Sequence, residues 1–279
     1  MTSHVVRLGA VGYLNARPLV YGLEHSRRFA LRFDVPALCA DLLHAGGIDL
    51  GLIPSIEYLR GRDYRIVPDL AITSRGAVRS VALYTKKPMA DVRSIAMDTS
   101  SRTSVALVGV LCARAFKIQP ILQPASPDLS SMLTDCDAAL VIGDNALFLE
   151  GGALSPDSLG PAPDATAGSN VEKIDLGEVW TNLTGLPFVY AFWAGPAGVL
   201  TSDHVAELQS ARDEAVRRPE DVAREYFAGA PAQQAVGAAY LRDNIKYYLG
   251  LDERAGLSLF YRYAAEAGVV GSVQDLRFF

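Results

Sequence analysis

Short apolar runs alternate with helix-like periods along most of this 279-residue chain, and this alternation constrains the fold more than any other feature. In the first 60 residues, three apolar runs are each followed by a stretch with helical spacing. The second stretch begins at Pro36 and ends at Gly46 and Gly47, as proline and glycine favour at helix ends. This order predicts a parallel sheet with a ligand site at the carboxyl ends of its strands. The predicted strands lie at 5–11, 31–35 and 48–53, and the predicted helices at 14–24 and from 36 onward.

A second unit of the same kind follows between residues 93 and 142. Residues 150–170 are rich in Gly, Pro, Ala, Ser and Asp, which predicts an excursion on the surface. From residue 201 onward the pattern is helical. The predicted strands are 93–97, 121–123, 138–142 and 189–194, and the predicted helices are 103–116, 128–134, 202–217, 219–227, 231–249 and 252–267.

Two extended runs, 78–85 and 187–194, flank the middle unit and are suited to cross between two lobes. We expect one lobe from residues 1–83 plus 196–279 and a second from residues 88–187, with hinge strands near 84–87 and 188–195. Two such crossovers make a cleft that closes on a small ligand. The alternative is a single, continuous, doubly wound domain.

The net charge, the cysteine positions and the lengths of the apolar segments argue against several classes of protein. The formal net charge of −5 argues against a general nucleic-acid binder, which needs a basic surface. Cys39, Cys112 and Cys136 are far apart and form no CxxC motif, as is typical of a reducing compartment. The first residues lack a signal-peptide pattern, and no apolar segment reaches the roughly 18–20 residues that span a bilayer. We expect a cytoplasmic protein with a small-molecule partner, no nucleic acid and no membrane; the oligomeric state stays open.

A polar cluster at residues 98–104, Asp-Thr-Ser-Ser-Arg-Thr-Ser, joins a predicted strand to a predicted helix. Free N–H groups and the positive end of the dipole favour an anion at a helix N-terminus, and hydroxyls add donors. One hydroxyl is enough for a cap, so five in seven residues favour a carboxylate site. The candidate substrate-binding residues here are Thr99, Ser100, Ser101, Arg102, Thr103 and Ser104.

Four further residues lie where the predicted cleft should be. Asn15 follows the first strand, Ser80 lies in the run toward the proposed crossover, and Asp144 and Asn145 follow the strand at 138–142. A lone Asn in a strand-to-helix turn is more often a turn or cap residue than a catalyst, and surface turns contain many serines. Asp144 and Asn145 are equally explained as a helix cap. The four histidines have no metal-ligand spacing, and the nucleotide-binding and Ser-His-Asp motifs are absent. We therefore expect chemistry without metal or cofactor.

Several blocks of this sequence resemble the chorismate dehydratases of the menaquinone pathway, in the order that family has them. The blocks are VGYLNARPLVYGLE, IDLGLIPSIEYL, DTSSRTSVALV, ALVIGDNAL, DLGEVWTNLTGLPFVYAFWA and YLRDNIKYYLGLDERAGLSLFYRYA. A sister family, which makes 1,4-dihydroxy-6-naphthoate, opens with a Cys-Pro-Asn-Asp turn and uses a histidine in its second lobe. This chain has Tyr-Leu-Asn instead and no histidine between His44 and His204, which favours the dehydratase.

The resemblance implies a two-lobed, periplasmic-binding-protein-like (type II) α/β fold with two crossover strands. It implies a lyase of the futalosine route that removes water from chorismate to give 3-[(1-carboxyvinyl)oxy]benzoate. Asn15 and Ser80 would be the catalytic residues beside the reacting carbons. The base stays open between the protein and the enolpyruvyl carboxylate of the substrate. The alternatives are the sister naphthoate synthase and a non-catalytic small-anion binding protein of the same fold.

Overall fold

The computed structural model describes residues 5–61, 63–149 and 171–279. The predicted surface excursion at 150–170 lies outside the described residues. Within them, no helix is both long enough and apolar enough to cross a membrane.

Ten strands in the described residues form two five-stranded sheets. The strands are β1 (Val6–Val11), β2 (Phe29–Asp34), β3 (Leu50–Pro54), β4 (Tyr64–Ser74), β5 (Val81–Thr85), β6 (Ser94–Asp98), β7 (Ile121–Ala125), β8 (Ala138–Ile142), β9 (Glu172–Asp175) and β10 (Phe188–Pro196). The first sheet has the order β2-β1-β3-β10-β4 and the second has the order β7-β6-β8-β5-β9. In each sheet three parallel strands are followed by one that runs antiparallel to its neighbours, so the two units share one topology.

Helices cover the sheets and account for the continuous apolar runs, because strands buried on both faces lose the polar alternation. The helices are α1 (Pro36–His44), α2 (Arg102–Leu111), α3 (Leu129–Asp135), α4 (Gly143–Phe148), α5 (Leu176–Thr184), α6 (Ser202–Val216), α7 (Pro219–Tyr226), α8 (Pro231–Ala239) and α9 (Leu251–Glu266). Among the described residues, four 3₁₀ turns lie at Leu14–Leu19, Leu23–His25, Ser55–Arg60 and Met89–Asp91, and two π turns at Cys112–Phe116 and Tyr240–Asn244. An aromatic cluster ties α5, β10 and α9 together: the Trp180 ring centroid lies 5.2 Å from that of Phe188 and 6.0 Å from that of Phe260.

Within the part of the chain that the structure describes, the backbone passes twice between the sheets. The first passage is the linker, residues 75–80, between β4 in the first sheet and β5 in the second. The return runs from β9 through α5 to β10, which lies wholly in the first sheet. The expected first-lobe boundary at residue 83 therefore differs from the sheet membership, since Val81–Thr85 pairs with β8 and β9. The runs at 78–85 and 187–194 contain β5 and β10, but neither strand crosses between the sheets as expected of a hinge strand: β5 lies in the second sheet and β10 in the first, because long-range pairing decides which sheet each one joins.

The helix predicted at 231–249 is wrong in its second half. It gives way at residue 240 to a π turn, after which Lys246 pairs with Thr73 of β4. The two residues exchange backbone hydrogen bonds of 2.9 Å in both directions. These bonds to a distant strand replace the local helical ones.

Candidate functional site

A cavity of about 490 Å³, its mouth included, lies between the two sheets. Its walls include the carboxyl ends of β1, β3 and β8, where a parallel sheet places a ligand. The polar lining residues are Tyr13, Asn15, Ser80, Ser101, Ser104 and Tyr190, and the apolar ones include Val11, Pro54, Ile72, Val78 and Ile142.

Asn15 reaches this cavity from the 3₁₀ turn that follows β1. The turn is fastened to the second unit, because the Leu14 N–H donates to Asp144 Oδ1 at 3.2 Å. The amide oxygen Oδ1 of Asn15 is buried and has no hydrogen-bond partner among the described residues. A buried acceptor without a partner is unfavourable unless something binds there, so Oδ1 is a candidate ligand contact.

Ser80 reaches the cavity from the end of the linker, and its backbone position is held by several bonds. Asp175 accepts from the Val78 N–H at 3.0 Å and from the Arg79 N–H at 2.5 Å. Arg79 has a φ of 63°, a left-handed conformation that is unfavourable for a side chain with a Cβ. The Ser80 carbonyl accepts from the Gly143 N–H at 2.8 Å. The Ser80 hydroxyl is buried and accepts a 2.6 Å hydrogen bond from Tyr240.

The N-terminus of α2 forms a third part of the wall. Ser101 caps the helix by accepting from the Ser104 N–H at 3.4 Å, and the two hydroxyl oxygens lie 3.0 Å apart. Both serines line the cavity. The positive end of the helix dipole therefore meets the cavity beside two hydroxyls, which together suit a carboxylate.

The other members of the 98–104 cluster do not line the cavity. Arg102 reaches out of the second unit and donates to Glu57 at 3.0 Å and to Asp41 at 2.8 and 2.9 Å. Thr103 is buried, and its hydroxyl accepts from the Ile56 N–H at 3.1 Å. These two side chains fasten α2 to the first unit.

Ser100 and Thr99 complete the cluster. The Ser100 hydroxyl lies 3.5 Å from the Tyr13 hydroxyl, and the Ser100 carbonyl accepts from the Ala37 N–H at 3.0 Å. Thr99 is exposed. Of the six residues predicted to bind substrate here, the structure brings only Ser101 and Ser104 to the cavity wall.

Asp144 and Asn145 also lie away from the cavity lining. Asp144 accepts from Leu14 N–H and, through Oδ2, from the Tyr226 hydroxyl at 2.5 Å. Burial raises the pKa of its carboxyl, although the bonds from Tyr226 and Leu14 oppose the shift. Asn145 is exposed. Asp144 thus holds the turn that carries Asn15, and its effect on the cavity is indirect.

Three tyrosines of the site were missed by the sequence reasoning. Tyr13 and Tyr190 line the cavity, and the Tyr190 hydroxyl lies 3.0 Å from the Ser74 hydroxyl. Burial raises the pKa of both phenols, so they are neutral near pH 7. Tyr240 lies behind Ser80, to which its hydroxyl donates. All three belong to the blocks that carry the family resemblance, but a tyrosine in an apolar run is more often a core residue.

The cavity is lined by neutral groups within the described part of the chain. Residues 5–61, 63–149 and 171–279 also contain no group of three or more His, Cys, Asp or Glu side chains that could hold a metal ion. Uncharged donors and the α2 N-terminus are therefore what these walls offer to an anion.

Comparison with known proteins places the chain. A family model described as menaquinone biosynthesis matches residues 6–266. A chorismate dehydratase of Thermus thermophilus is 32% identical over 259 residues, which cover 91% of this chain and 93% of that protein. The family resemblance drawn from the sequence blocks is thereby confirmed.

Solved structures give the fold. A crystal structure of an Archaeoglobus fulgidus protein matches with a TM-score of 0.71 and 16% identity, covering 97% of this chain and 100% of the other. The periplasmic aliphatic sulphonate binding protein of Escherichia coli matches with a TM-score of 0.61 and 14% identity, covering 96% and 94%. The two-lobed, periplasmic-binding-protein-like α/β fold is therefore confirmed. With this fold and the match over residues 6–266, the chain belongs to the menaquinone-biosynthesis family.

Proposed function

We propose that this protein is a chorismate dehydratase, a carbon–oxygen lyase of the futalosine route to menaquinone. Its substrate is chorismate and its products are water and 3-[(1-carboxyvinyl)oxy]benzoate. One observation carries the proposal in addition to the family: Asn15, Ser80 and the N-terminus of α2 come from distant parts of the chain and meet at one cavity. These groups suit the dehydration of a carboxylate-bearing ring, which is favoured by donors at the carboxylate and at the leaving hydroxyl.

The reaction needs charge stabilisation more than strong acids or bases. A proton leaves ring carbon C3, and the electron pair of that bond is delocalised through the C1–C2 double bond onto the ring carboxylate. The C4–O bond then breaks, a C3–C4 π bond forms, and the ring becomes aromatic. Hydroxide and the C3 proton together make the water that is lost. Preorganised donors at the carboxylate and at the leaving hydroxyl would lower this barrier.

In this proposal the α2 N-terminus binds the ring carboxylate. Ser101 and Ser104 lie at that end of the helix and line the cavity. The apolar walls, including Val11, Ile72 and Ile142, would hold the ring and exclude water. Removing water strengthens each hydrogen bond to the developing anion.

The reacting end of the substrate would lie against Asn15 and Ser80. The unpartnered Asn15 Oδ1 is an acceptor, and the Ser80 hydroxyl has its own proton to donate. An acceptor beside a donor is complementary to an alcohol, which matches the C4 hydroxyl. Asn15 would orient this hydroxyl, and Ser80 would stabilise the charge that grows on its oxygen as the C4–O bond breaks.

We propose that the enolpyruvyl carboxylate of the substrate takes the C3 proton. The nearby protein carboxylates are engaged elsewhere: Asp144 accepts from Leu14 and Tyr226, and Asp98 accepts from the Ser100 N–H at 3.0 Å. The same proton then joins the departing hydroxide, so the protein ends each turnover with its protonation unchanged.

We further propose that the enzyme works in the cytoplasm without a cofactor. The three cysteines are free and buried. Burial raises the pKa of the Cys112 thiol to about 11, and burial, together with the Asp34 charge, raises that of Cys39 to about 12. Such thiols are unreactive and typical of a reducing compartment.

The test is to incubate the purified protein with chorismate and follow the products by NMR and mass spectrometry. We expect a meta-substituted benzoate that retains the enolpyruvyl group and has lost one water. The matched control is the Asn15→Ala/Ser80→Ala protein from the same purification, which would exclude a contaminating enzyme. Binding of chorismate without turnover would instead support a non-catalytic anion-binding protein, and the dehydratase proposal would be wrong.

A further inference from the structure

The Ser80 hydroxyl, which is proposed to meet the leaving hydroxyl, has a buried neighbour, Tyr240, that is not part of the cavity lining. We infer that Tyr240 is a positioning residue for the dehydration, because its phenol orients the Ser80 hydroxyl so that the Ser80 proton faces the cavity. The inference rests on the proposed function and deepens it.

Tyr240 occupies an unusual point of the fold. It is the first residue of the π turn Tyr240–Asn244, where the register of α8 is broken, and its side chain is buried. π turns within helices are frequent at functional sites. The same turn also holds the linker, since Asn244 Nδ2 donates to the Ala77 carbonyl at 2.9 Å. The π turn therefore contacts both the side chain of Ser80 and the backbone three residues before it.

The direction of the hydrogen bonds follows from counting protons. A hydroxyl has one proton to donate, and the Tyr240 proton is donated to Ser80 Oγ at 2.6 Å. The Tyr240 phenol is therefore the donor of this bond and the Ser80 oxygen is its acceptor.

This direction leaves the Ser80 proton free to be donated to another acceptor. Ser80 lines the cavity, and within the described residues its hydroxyl proton has no other hydrogen-bond acceptor. Without the Tyr240 phenol, Ser80 could rotate and use its proton elsewhere, and the donor would no longer be aimed at the leaving hydroxyl. Tyr240 itself transfers no proton: the C4–O bond breaks, Ser80 stabilises the departing oxygen, and the C3 proton completes the water.

The experiment compares Tyr240→Phe with Tyr247→Phe in the full-length protein. Tyr247 is the matched control, because it is also buried and its hydroxyl has no hydrogen-bond partner among the described residues. We expect Tyr240→Phe to lower kcat on the order of 10- to 100-fold, below the loss typical of a direct proton-transfer group, with KM changed less than about twofold. Tyr247→Phe should leave both within about twofold.

A double-mutant cycle with Ser80→Ala separates positioning from general structural support. If Tyr240 acts through Ser80, Tyr240→Phe should lower kcat less than about threefold in the Ser80→Ala background. Equal losses in both backgrounds, or parental kcat in Tyr240→Phe, would overturn the inference while the parent still converts chorismate. Unfolding of Tyr240→Phe, with Tyr247→Phe intact by circular dichroism, would assign Tyr240 a structural role and overturn it too. A parent that makes no aromatic product would instead overturn the proposed function on which the inference rests.

Discussion

The two polar walls of the cavity differ in how their side chains are used. The wall formed by Asn15 and Ser80 has few polar residues, yet each keeps a group available for a ligand. The hydroxyl cluster at 98–104 has many polar residues, but Arg102 and Thr103 form hydrogen bonds with the first unit. The number of hydrogen-bond donors in a sequence segment therefore does not predict how many of them are available to a ligand, because other residues of the protein can accept from most of these donors.

The difference has a physical origin in where each segment lies. α2 packs between the units, so the side chains on its outer face meet buried acceptors and donors of the first unit, which must be satisfied. Asn15 and Ser80 lie in short connections whose backbones are held by Asp144 and Asp175. Because these carboxylates bind the backbone N–H groups, the side chains of Asn15 and Ser80 stay available to the cavity.

The largest effect is expected at the Asn15 and Ser80 wall. Asn15→Ala and Ser80→Ala should each lower kcat by roughly 10²-fold, the scale seen when one preorganised donor or acceptor is lost. Single-turnover formation of the enolpyruvyl benzoate measures this, with circular dichroism to check the fold. If both variants turn over chorismate at the parental rate, the assignment of this wall to the reacting atoms is wrong.

A smaller effect, on the free energy of unfolding, is expected at the contact between Arg102 of α2 and Glu57 of the first unit. Glu57 is fully buried beside His44, Arg60 and Arg102, with nitrogen–oxygen distances of 3.0–3.1 Å. Burial raises the pKa of its carboxyl, but the His44 hydrogen bond and the two guanidinium charges outweigh burial and hold the pKa below its usual range. Glu57→Gln should lower the free energy of unfolding by about 2 kcal/mol at neutral pH.

The sign of the pH dependence follows from that lowered pKa. A carboxyl whose pKa is lower in the folded state stabilises the fold above its unfolded pKa, about 4.3 for Glu, and loses this contribution as the pH falls through the folded value. The stability difference between the parent and Glu57→Gln should therefore shrink below about pH 4.3. Urea titrations between neutral and acid pH measure it, and a constant difference would contradict the network.

Substitutions of Ser104 and Thr103, two neighbours in the hydroxyl cluster, are expected to have different effects, and only the Ser104 substitution should weaken binding tenfold. Ser104→Ala should weaken binding of the enolpyruvyl benzoate roughly tenfold, because one hydrogen bond to a carboxylate is lost. Thr103→Val should instead lower stability by about 1–2 kcal/mol, since the Ile56 N–H loses its acceptor, and leave the Kd nearly unchanged. Calorimetry and thermal melts distinguish the two. A Thr103 variant with weak binding and normal stability would restore this residue to the ligand site.

The smallest effect is expected at the exposed candidates. Thr99→Ala and Asn145→Ala should change kcat and KM by less than about twofold, because both residues are exposed and away from the cavity lining. Steady-state kinetics beside the Ser104 variant measure this. A tenfold rise in KM in either variant would show that the predicted substrate contact exists and that the ligand extends beyond the cavity.

The sequence by itself determined the α/β class, the two units and the family. Apolar runs and helical periods are local properties, and glycine and proline mark their ends, as at Pro36 and Gly46. The blocks around Asn15 and at 98–104 carried the resemblance that the comparisons confirmed. Both Asn15 and Ser80, which the resemblance implied as catalytic residues, lie at the cavity wall, although their roles stay predictions.

Only the tertiary structure decided which sheet holds Val81–Thr85, which hydroxyls of the cluster reach the cavity, and that Tyr240 lies behind Ser80. The physical reason is separation along the chain. Tyr240 and Ser80 are 160 residues apart, and Asp144 and Leu14 are 130 apart. No local pattern encodes such a bond. From the sequence alone, Tyr240 is equally typical of a core tyrosine, Ser80 of a turn serine and Asp144 of a helix cap. Only the packing of the two units brings each residue to its partner.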